Sequence, residues 1–581
     1  MEKTLTLYYT SDTHGRLFPE DATNGACLAQ TFAEYHKDEN TLVLEGGDTL
    51  QGSPLLRYLW KTNQCADVLP AVMNCSGMDY YTLGNHDFNY GYDGLAGYVN
   101  AVQGSCLCAN VKDTSAAPLP IKPYAIHTLA NGLRIGLVGV VTDYVNLWEA
   151  EENLTNLVVT DAFSAAKAGL EALKSVEKPV DYTICIYHGG FEADLSKAAV
   201  VAPITTEAEQ AGHTAENVGC KICRELSFDL LLTAHQHMEA PLQYLHDTAV
   251  LQLPANAEKY ARLEIAIAPK GAVQDEAWTK STCGTAGNQG DALPTECVGA
   301  GSCDVVKSRS RIVSAEHIRP TVAPDAALLR QMKPIRDAAT QWLAQPAGSL
   351  ARAVPPEQDK ITLALGTAPL AQLANFAQLQ ASGAEVAITS LPNQPVGLPA
   401  QLTVGDVLTA YPFPNAVITL AVPGAVLAQG IARSASYFAL DDAGQLCVSD
   451  QFVIPKEEHY NYDFFGGVRY TISFQDGAAQ ASKASPMQIQ ADNLSVAQTA
   501  ANLRSPIVSE ILVNGALLDP ARIYKVVMSD YRATGTGGYD FYAGCPRVAS
   551  HPCDVQALLL ETLAQHPGFE IPVSSAVQVL V

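Results

Sequence analysis

The chain has no uninterrupted apolar run of the ~18 or more residues that a membrane-crossing helix needs, so no membrane partner is expected. Positive charge is scarce as well: 36 Lys and Arg stand against 60 Asp and Glu in 581 residues, a net charge of −24. Such a surface repels nucleic-acid polymers and anionic membranes at long range. A small phosphorylated ligand would then depend on local cations, which bound metals supply. The opening stretch from Met1 to Thr10 shows no charged start followed by an apolar core and a small-residue cleavage site. As it stands the sequence is expected in the cytoplasm, and outside it if a signal peptide has been removed. There is no internal repeat, and no second C-x-x-C to join Cys220-Lys221-Ile222-Cys223 in a zinc site. The fourteen cysteines are read as reduced thiols of the core, with Cys27, Cys75 and Cys185 in or beside apolar runs. The pairs Cys106/Cys108 and Cys220/Cys223 are the two that could instead suggest metal or redox chemistry, and a disulfide among Cys283, Cys297 and Cys303 would need an oxidising compartment.

What remains is globular, 48% hydrophobic and 17% charged, and too long for one core. Short apolar runs at Leu5–Tyr9, Leu42–Leu44, Leu107–Val111, Leu133–Val141, Tyr182–Tyr187, Leu230–Thr233 and Val250–Leu253 read as buried strands. Between them, stretches such as Asp161–Leu173 read as amphipathic helix, an alternation that predicts a layered α/β architecture. The pattern dissolves into Gly, Ser, Asp and Thr around 269–323, a loop-rich insertion. A helix over 324–345, kinked at Pro334, joins residues 1–268 to a second α/β region at 346–581. There a helix is expected near Thr367–Gln380 and strands near Ala416–Val422, Val468–Phe474 and Tyr524–Met528.

Polar clusters follow the first region's apolar runs, where open α/β sheets place their ligands. They are Asp12 and His14 in S-D-T-H-G, Asp48 in G-G-D-T, Asn85 and His86 in G-N-H-D, His188 in Y-H-G-G, and His235 and His237 in A-H-Q-H. Singly, each is ordinary: a D-x-H is usually incidental, G-G-D is a common turn, and a strand-end histidine is more often simply hydrogen-bonded. Together they offer mixed oxygen and nitrogen donors, which suit Mn, Zn, Fe or Co better than Ca. Two such metals about 3.5–4 Å apart generate hydroxide and clamp the attacking and departing oxygens of an in-line displacement. Phosphoester hydrolysis is the reaction this set fits best, with two divalent metal ions as cofactors.

These motifs, with their order and spacing, resemble those of the calcineurin-like metallophosphoesterases, and the second half resembles the carboxy-terminal domain of the 5′-nucleotidase superfamily. The stretches Q-G-S-P-L at 51–55, G-N-H-D-F-N-Y-G at 84–91, T-A-E-N-V-G at 214–219, Y-N-Y-D at 460–463 and D-Y-R-A-T-G at 530–535 look like the bacterial 2′,3′-cyclic-nucleotide 2′-phosphodiesterase/3′-nucleotidase branch. The resemblance implies a four-layer αββα metallophosphoesterase domain, a linker helix and a carboxy-terminal α/β substrate-binding domain. It also implies that Asp12, His14 and His237 hold one metal, Asn85, His188 and His235 the other, and that Asp48 bridges them. His86 would stabilise the transferring phosphoryl group or protonate the leaving oxygen. Many 5′-nucleotidases orient that histidine with an Asp three residues on, where this chain has Asn89.

From the second domain the resemblance implies that Phe413 and Tyr531, with Asn415 nearby, hold the nucleobase by stacking. The 5′-nucleotidases also bring arginines to the substrate phosphate, whereas Ala387–Leu402 here contains no Arg or Lys. That shifts the expectation from a plain 5′-mononucleotide towards 2′,3′-cyclic or 3′ esters. Two alternatives stay open at this point: a nucleotide-sugar or dinucleotide pyrophosphatase, and a nucleotide-binding protein with little turnover.

Overall fold

Alternation along the strands builds the amino-terminal region. In the strand Lys3–Thr10, Leu5, Leu7 and Tyr9 point one way and Tyr8 the other; in Thr41–Glu45, Leu42 and Leu44 oppose Val43. The first set meets Ile135, Leu137, Ile184, Ile186, Leu230 and Leu232 from a second sheet, and the two sheets bury this shared layer between them. Each such Leu or Ile contributes about 1.5–3 kcal/mol on burial. The opposite faces are covered by helices. Tyr8 and Val43 pack under Leu28, Leu56, Leu69 and Leu95, while Val138, Cys185 and Leu231 pack under Ala166, Leu170, Leu173 and Ile222. The result is a four-layer αββα sandwich, seen in a computed structural model that describes residues 2–20, 25–192, 195, 216–268, 310–454, 456–474, 489–490, 506–572 and 575–580.

The first sheet runs, in spatial order, Ser310–Ile318, Tyr260–Ile267, Lys3–Thr10, Thr41–Glu45, Tyr80–Tyr81 and Ser105–Cys106. The second runs Ala240–Leu245, Thr248–Gln252, Leu230–Thr233, Tyr182–His188, Arg134–Val141 and Tyr124–Thr128. Central strands of both are parallel, so their carboxy-terminal ends share one edge. The helix Ala162–Lys174 is capped by Asp161, which accepts from Ser164 N at 2.6 Å, as its sequence predicts.

Some expectations shift. Ser310–Ile318, assigned to the loop-rich insertion, is instead an edge strand; residues 269–309 lie outside the described residues, as do Cys283, Cys297 and Cys303. The apolar run at Leu107–Val111 is not one strand: pairing occurs at Ser105–Cys106 and again at Val111–Asp113. Cys27 and Cys185 are buried free thiols, but Cys75 is exposed, because the run before it ends in the turn Asn74–Ser76.

The joining helix spans Ala326–Leu343, with Pro334 inside it. Leu328, Met332 and Ala339 are buried in the first region's core, while Trp342 and Leu343 pack against the second. That second region centres on a sheet ordered Phe464–Gly466, Val386–Thr389, Ile523–Ser529, Ala416–Pro423 and Arg547–Asp554. Antiparallel register pairs Val417 with Ser529, which sets the loop before one strand beside the loop after the other. No helix among the described residues is long and apolar enough to cross a membrane.

Candidate active site

The expected metal-ligand side chains all leave strand ends on the shared edge. Asp12 and His14 follow Lys3–Thr10, Asp48 follows Thr41–Glu45, Asn85 and His86 follow Tyr80–Tyr81, His188 ends its strand, and His235 and His237 follow Leu230–Thr233. Asp12, His14, Asp48, His235 and His237 have positive φ, from 47° to 70°, a conformation unfavourable for such residues. Strain of this kind persists only where surrounding structure enforces it, and it collects at functional sites.

Asp87 supplies that enforcement at Asp48. Its buried carboxylate accepts from Gly84 N (2.8 Å), Asp48 N (3.1 Å), Thr49 N (2.8 Å) and Leu50 N (2.9 Å), which ties G-G-D to G-N-H-D. The glycines follow from this closeness. A Cβ on Gly47 would sit 2.3 Å from Gly84 N, and one on Gly84 would sit 2.2 Å from Asp48 Oδ1.

One ligand atom each from Asp12, His14, Asp48 and His237 lies within 4.8 Å of every other. Asn85, His188 and His235 gather beside them around Asn85 Oδ1, which lies 3.2 Å from His188 Nε2 and 2.9 Å from His235 Nδ1. Asp48 joins the groups, with Oδ1 accepting from His86 N at 2.7 Å and Oδ2 3.2 Å from His188 Nε2.

The tautomers follow from the outer partners. His14 Nδ1 faces Gln51 O at 3.0 Å and His188 Nδ1 faces Gly46 O at 2.6 Å; a carbonyl only accepts, so both Nδ1 atoms carry hydrogen. His235 Nε2 donates to Glu216 Oε1 at 2.8 Å. The remaining nitrogens of His14 and His235, Nε2 and Nδ1, therefore aim lone pairs into the cluster, while His188 Nε2 lies between two acceptors, Asn85 Oδ1 and Asp48 Oδ2. Burial pulls the pKa of His14 and of His235 down to about 4, so both rings are neutral at neutral pH, as a metal ligand must be. His188 departs the other way. Burial alone would lower it, but Asp48 and Asp12 push it up to about 10, as expected where two carboxylates require a nearby positive charge. The buried Asp12 Oδ2 has no hydrogen-bond partner among the described residues. Unpaired buried carboxylates cost several kcal/mol each, and a divalent cation compensates them. The donor set thus fits divalent metal.

His86 Nδ1 lies 2.8 Å from Asn89 Oδ1, and the Phe413 ring faces His86 with centroids 6.3 Å apart and planes 20° from parallel. Phe413 is 39% exposed, so it is a cleft wall and not core packing. Asn415 Nδ2 donates to Asp530 Oδ1 at 2.9 Å, next to Tyr531, as the strand register dictates. The regions also meet where Gln51 Nε2 donates to Pro412 O at 3.3 Å and where Arg57 pairs with Asp554.

Three residues that sequence reading did not single out belong here. Glu216 holds His235, and Lys456 of the second region reaches Glu216 at 3.5 Å. Burial opposes its charge, but Lys456 and then His235 hold the Glu216 carboxyl down at about 2. Trp148 stacks on the His235 ring, with centroids 5.3 Å apart. Only Glu216 left a signal, inside T-A-E-N-V-G.

Residues 5–239 match the calcineurin-like phosphoesterase family model, and residues 350–544 match that of the 5′-nucleotidase C-terminal domain. The chain is 22% identical over 571 residues to a 2′,3′-cyclic-nucleotide 2′-phosphodiesterase/3′-nucleotidase of Salmonella typhimurium, covering 91% of this chain and 81% of that one. It is 29% identical over 210 residues to the 5′-nucleotidase of Bos taurus, covering 33% of this chain and 34% of that one. Among solved structures, a candidate 5′-nucleotidase from Staphylococcus aureus in complex with alpha-ketoglutarate superposes with a TM-score of 0.77 at 26% identity, covering 99% of this chain and 100% of that one. Residues 5–239 thus form a calcineurin-like phosphoesterase domain, of a family that implies divalent metals. More particularly, the chain is a phosphoester hydrolase that joins such a domain to a 5′-nucleotidase C-terminal domain.

Proposed function

We propose that the protein hydrolyses phosphoesters of nucleotides, with 2′,3′-cyclic and 3′ esters ahead of 5′-monophosphates. The observation that carries this reading is the meeting of two regions in one cleft: Phe413 lies against His86, beside buried donors suited to metal. Asp12, His14 and His237 would hold one ion, Asn85, His188 and His235 a second, with Asp48 between. Bound there, two cations supply the charge that offsets a phosphate and lower the pKa of water.

The chain's own groups do the rest. His86, seated by Asn89, donates a proton to the departing ribose oxygen. Phe413 and Tyr531 hold the base, and Asn415 fixes the Tyr531 loop through Asp530. Preference for a cyclic ester rests on charge and on kinship. With no Arg or Lys in 387–402, the second region's cation at this cleft is Lys456, already shared between Glu216 and Glu458. Such a site suits a cyclic diester, with one negative charge, better than the dianion of any monoester; the 3′ ester is placed ahead of the 5′ by kinship alone. The relative that spans most of the chain also carries that activity in its name.

The test is initial rate with Mn²⁺ on 2′,3′-cyclic AMP (coupled to a phosphatase), 3′-AMP, 5′-AMP and a UDP-sugar. The cyclic ester or 3′-AMP is expected fastest; a faster UDP-sugar or 5′-AMP would overturn the preference.

A further inference from the structure

The Asp that orients the general-acid histidine in many relatives of this fold is replaced here by Asn89, yet a carboxylate stands one step behind it. Asn89 Nδ2 donates to Glu149 Oε2 at 2.7 Å, while Asn89 Oδ1 lies 2.8 Å from His86 Nδ1. With the amide nitrogen committed to a carboxylate, the amide oxygen must face the ring, so His86 Nδ1 is the donor. Glu149 is itself held: Oε1 accepts from Asn153 Nδ2 at 2.8 Å and from Ala150 N at 3.0 Å. Asn153 Nδ2 also donates to Asn89 O at 3.2 Å, which closes the group. Glu149 makes no ion pair among the described residues, so no cation competes for its charge.

We infer that Glu149 is a positioning residue for the reaction, acting on His86 through Asn89. The inference rests on the proposed role of His86 as proton donor. Glu149 polarises the Asn89 amide, which strengthens the bond from His86 Nδ1 and leaves Nε2 as the atom that exchanges protons. When the bond from phosphorus to the leaving oxygen breaks, its electron pair stays on that oxygen, which takes the Nε2 proton. Positive charge on the ring before transfer is stabilised by Glu149 at one remove. The arrangement divides between two chain segments what an Asp at position 89 would do alone.

Two readouts test this. The first is the leaving-group dependence of kcat in Glu149→Ala, because a misplaced acid matters most when the departing oxygen is basic. A loss of about tenfold or more is expected on a nucleoside ester, against about threefold or less on bis(p-nitrophenyl) phosphate, with KM unchanged on both. Glu149→Gln, which keeps an acceptor oxygen, should fall between. Asn89→Asp combined with Glu149→Ala should recover most of the loss, because the carboxylate then meets His86 directly. Equal losses on both substrates, or no recovery in the double variant, would overturn the inference.

The second readout is independent of substrate. Nitrogen NMR of the His86 ring should show hydrogen on Nδ1 in the parent protein and a mixture of tautomers in Glu149→Ala. An unchanged tautomer overturns the relay even if the enzyme is active. A tautomer shift in Glu149→Ala, together with wild-type protein that hydrolyses no nucleotide ester, would instead sink the substrate reading and leave the relay standing.

Discussion

The two walls of the cleft are built in opposite ways. On the amino-terminal side, Asp12, Asp48 and His188 are wholly buried, and four backbone amides on the Asp87 carboxylate lock the loops that carry Asp48 and Asn85 together. On the carboxy-terminal side, Phe413 is exposed, Asn415 and Tyr531 are half-buried, and Lys456 reaches across to a glutamate at 3.5 Å. Chemistry demands fixed geometry and is housed where relaxation is prevented. The proposed recognition of a base tolerates adjustment and would be left to a face that depends on how the regions meet.

The sharpest break of this contrast is Asp48→Ala, which removes the carboxylate between the two donor groups. Turnover on every ester, nucleotide or not, should fall by more than about a thousandfold in a phosphate-release assay, equivalent to ~4 kcal/mol of lost stabilisation. Next comes His86→Ala, expected to lower kcat on a nucleoside ester by about 10²–10⁴ while KM stays within a few-fold. An equal rise in KM would place His86 in binding instead.

On the other wall, Phe413→Ala should leave hydrolysis of bis(p-nitrophenyl) phosphate intact and raise KM for nucleotides by about 5- to 150-fold, the equivalent of ~1–3 kcal/mol of base stacking. A matching loss on the base-free ester would show that Phe413 shapes the chemistry and not only recognition.

The ties between the regions should also differ. Lys456→Met leaves Glu216 buried against His235 alone, and about 2 kcal/mol of stability should be lost in urea unfolding, once the partial exposure of Glu216 is allowed for. Arg57→Ala removes the Arg57–Asp554 pair, 27% and 17% exposed, and should cost less than about 1 kcal/mol. Reversal of that order would mean that the contact through Lys456 is incidental.

The layered fold was legible because alternating apolar runs leave little choice of face. Ser310–Ile318 escaped because an edge strand half exposed to water shows no clean alternation in R-I-V-S-A-E-H-I. The ligand residues were legible because each sits within a few residues of a strand end, so motif and position agree. Their left-handed backbone was not, because the contacts that hold it cross between loops distant in sequence, as where Asp48 N donates to Asp87 and His14 N donates to Asp48 O. Glu149 lies 60 residues from Asn89, and Lys456 lies 240 from Glu216; no local pattern connects such partners. Phe413 and Tyr531 were singled out by resemblance alone, and it is the register of Ala416–Pro423 on Ile523–Ser529 that brings their loops together.

The central claim is that metal held by these strand-end loops drives phosphoester cleavage. The most direct measurement is back-titration: the purified protein is stripped with a chelator, Mn²⁺ is returned in known amounts, and phosphate release from a nucleotide ester is followed. Activity should vanish on stripping and return to a plateau near two equivalents of metal per chain. Turnover that survives complete removal of metal would contradict the account.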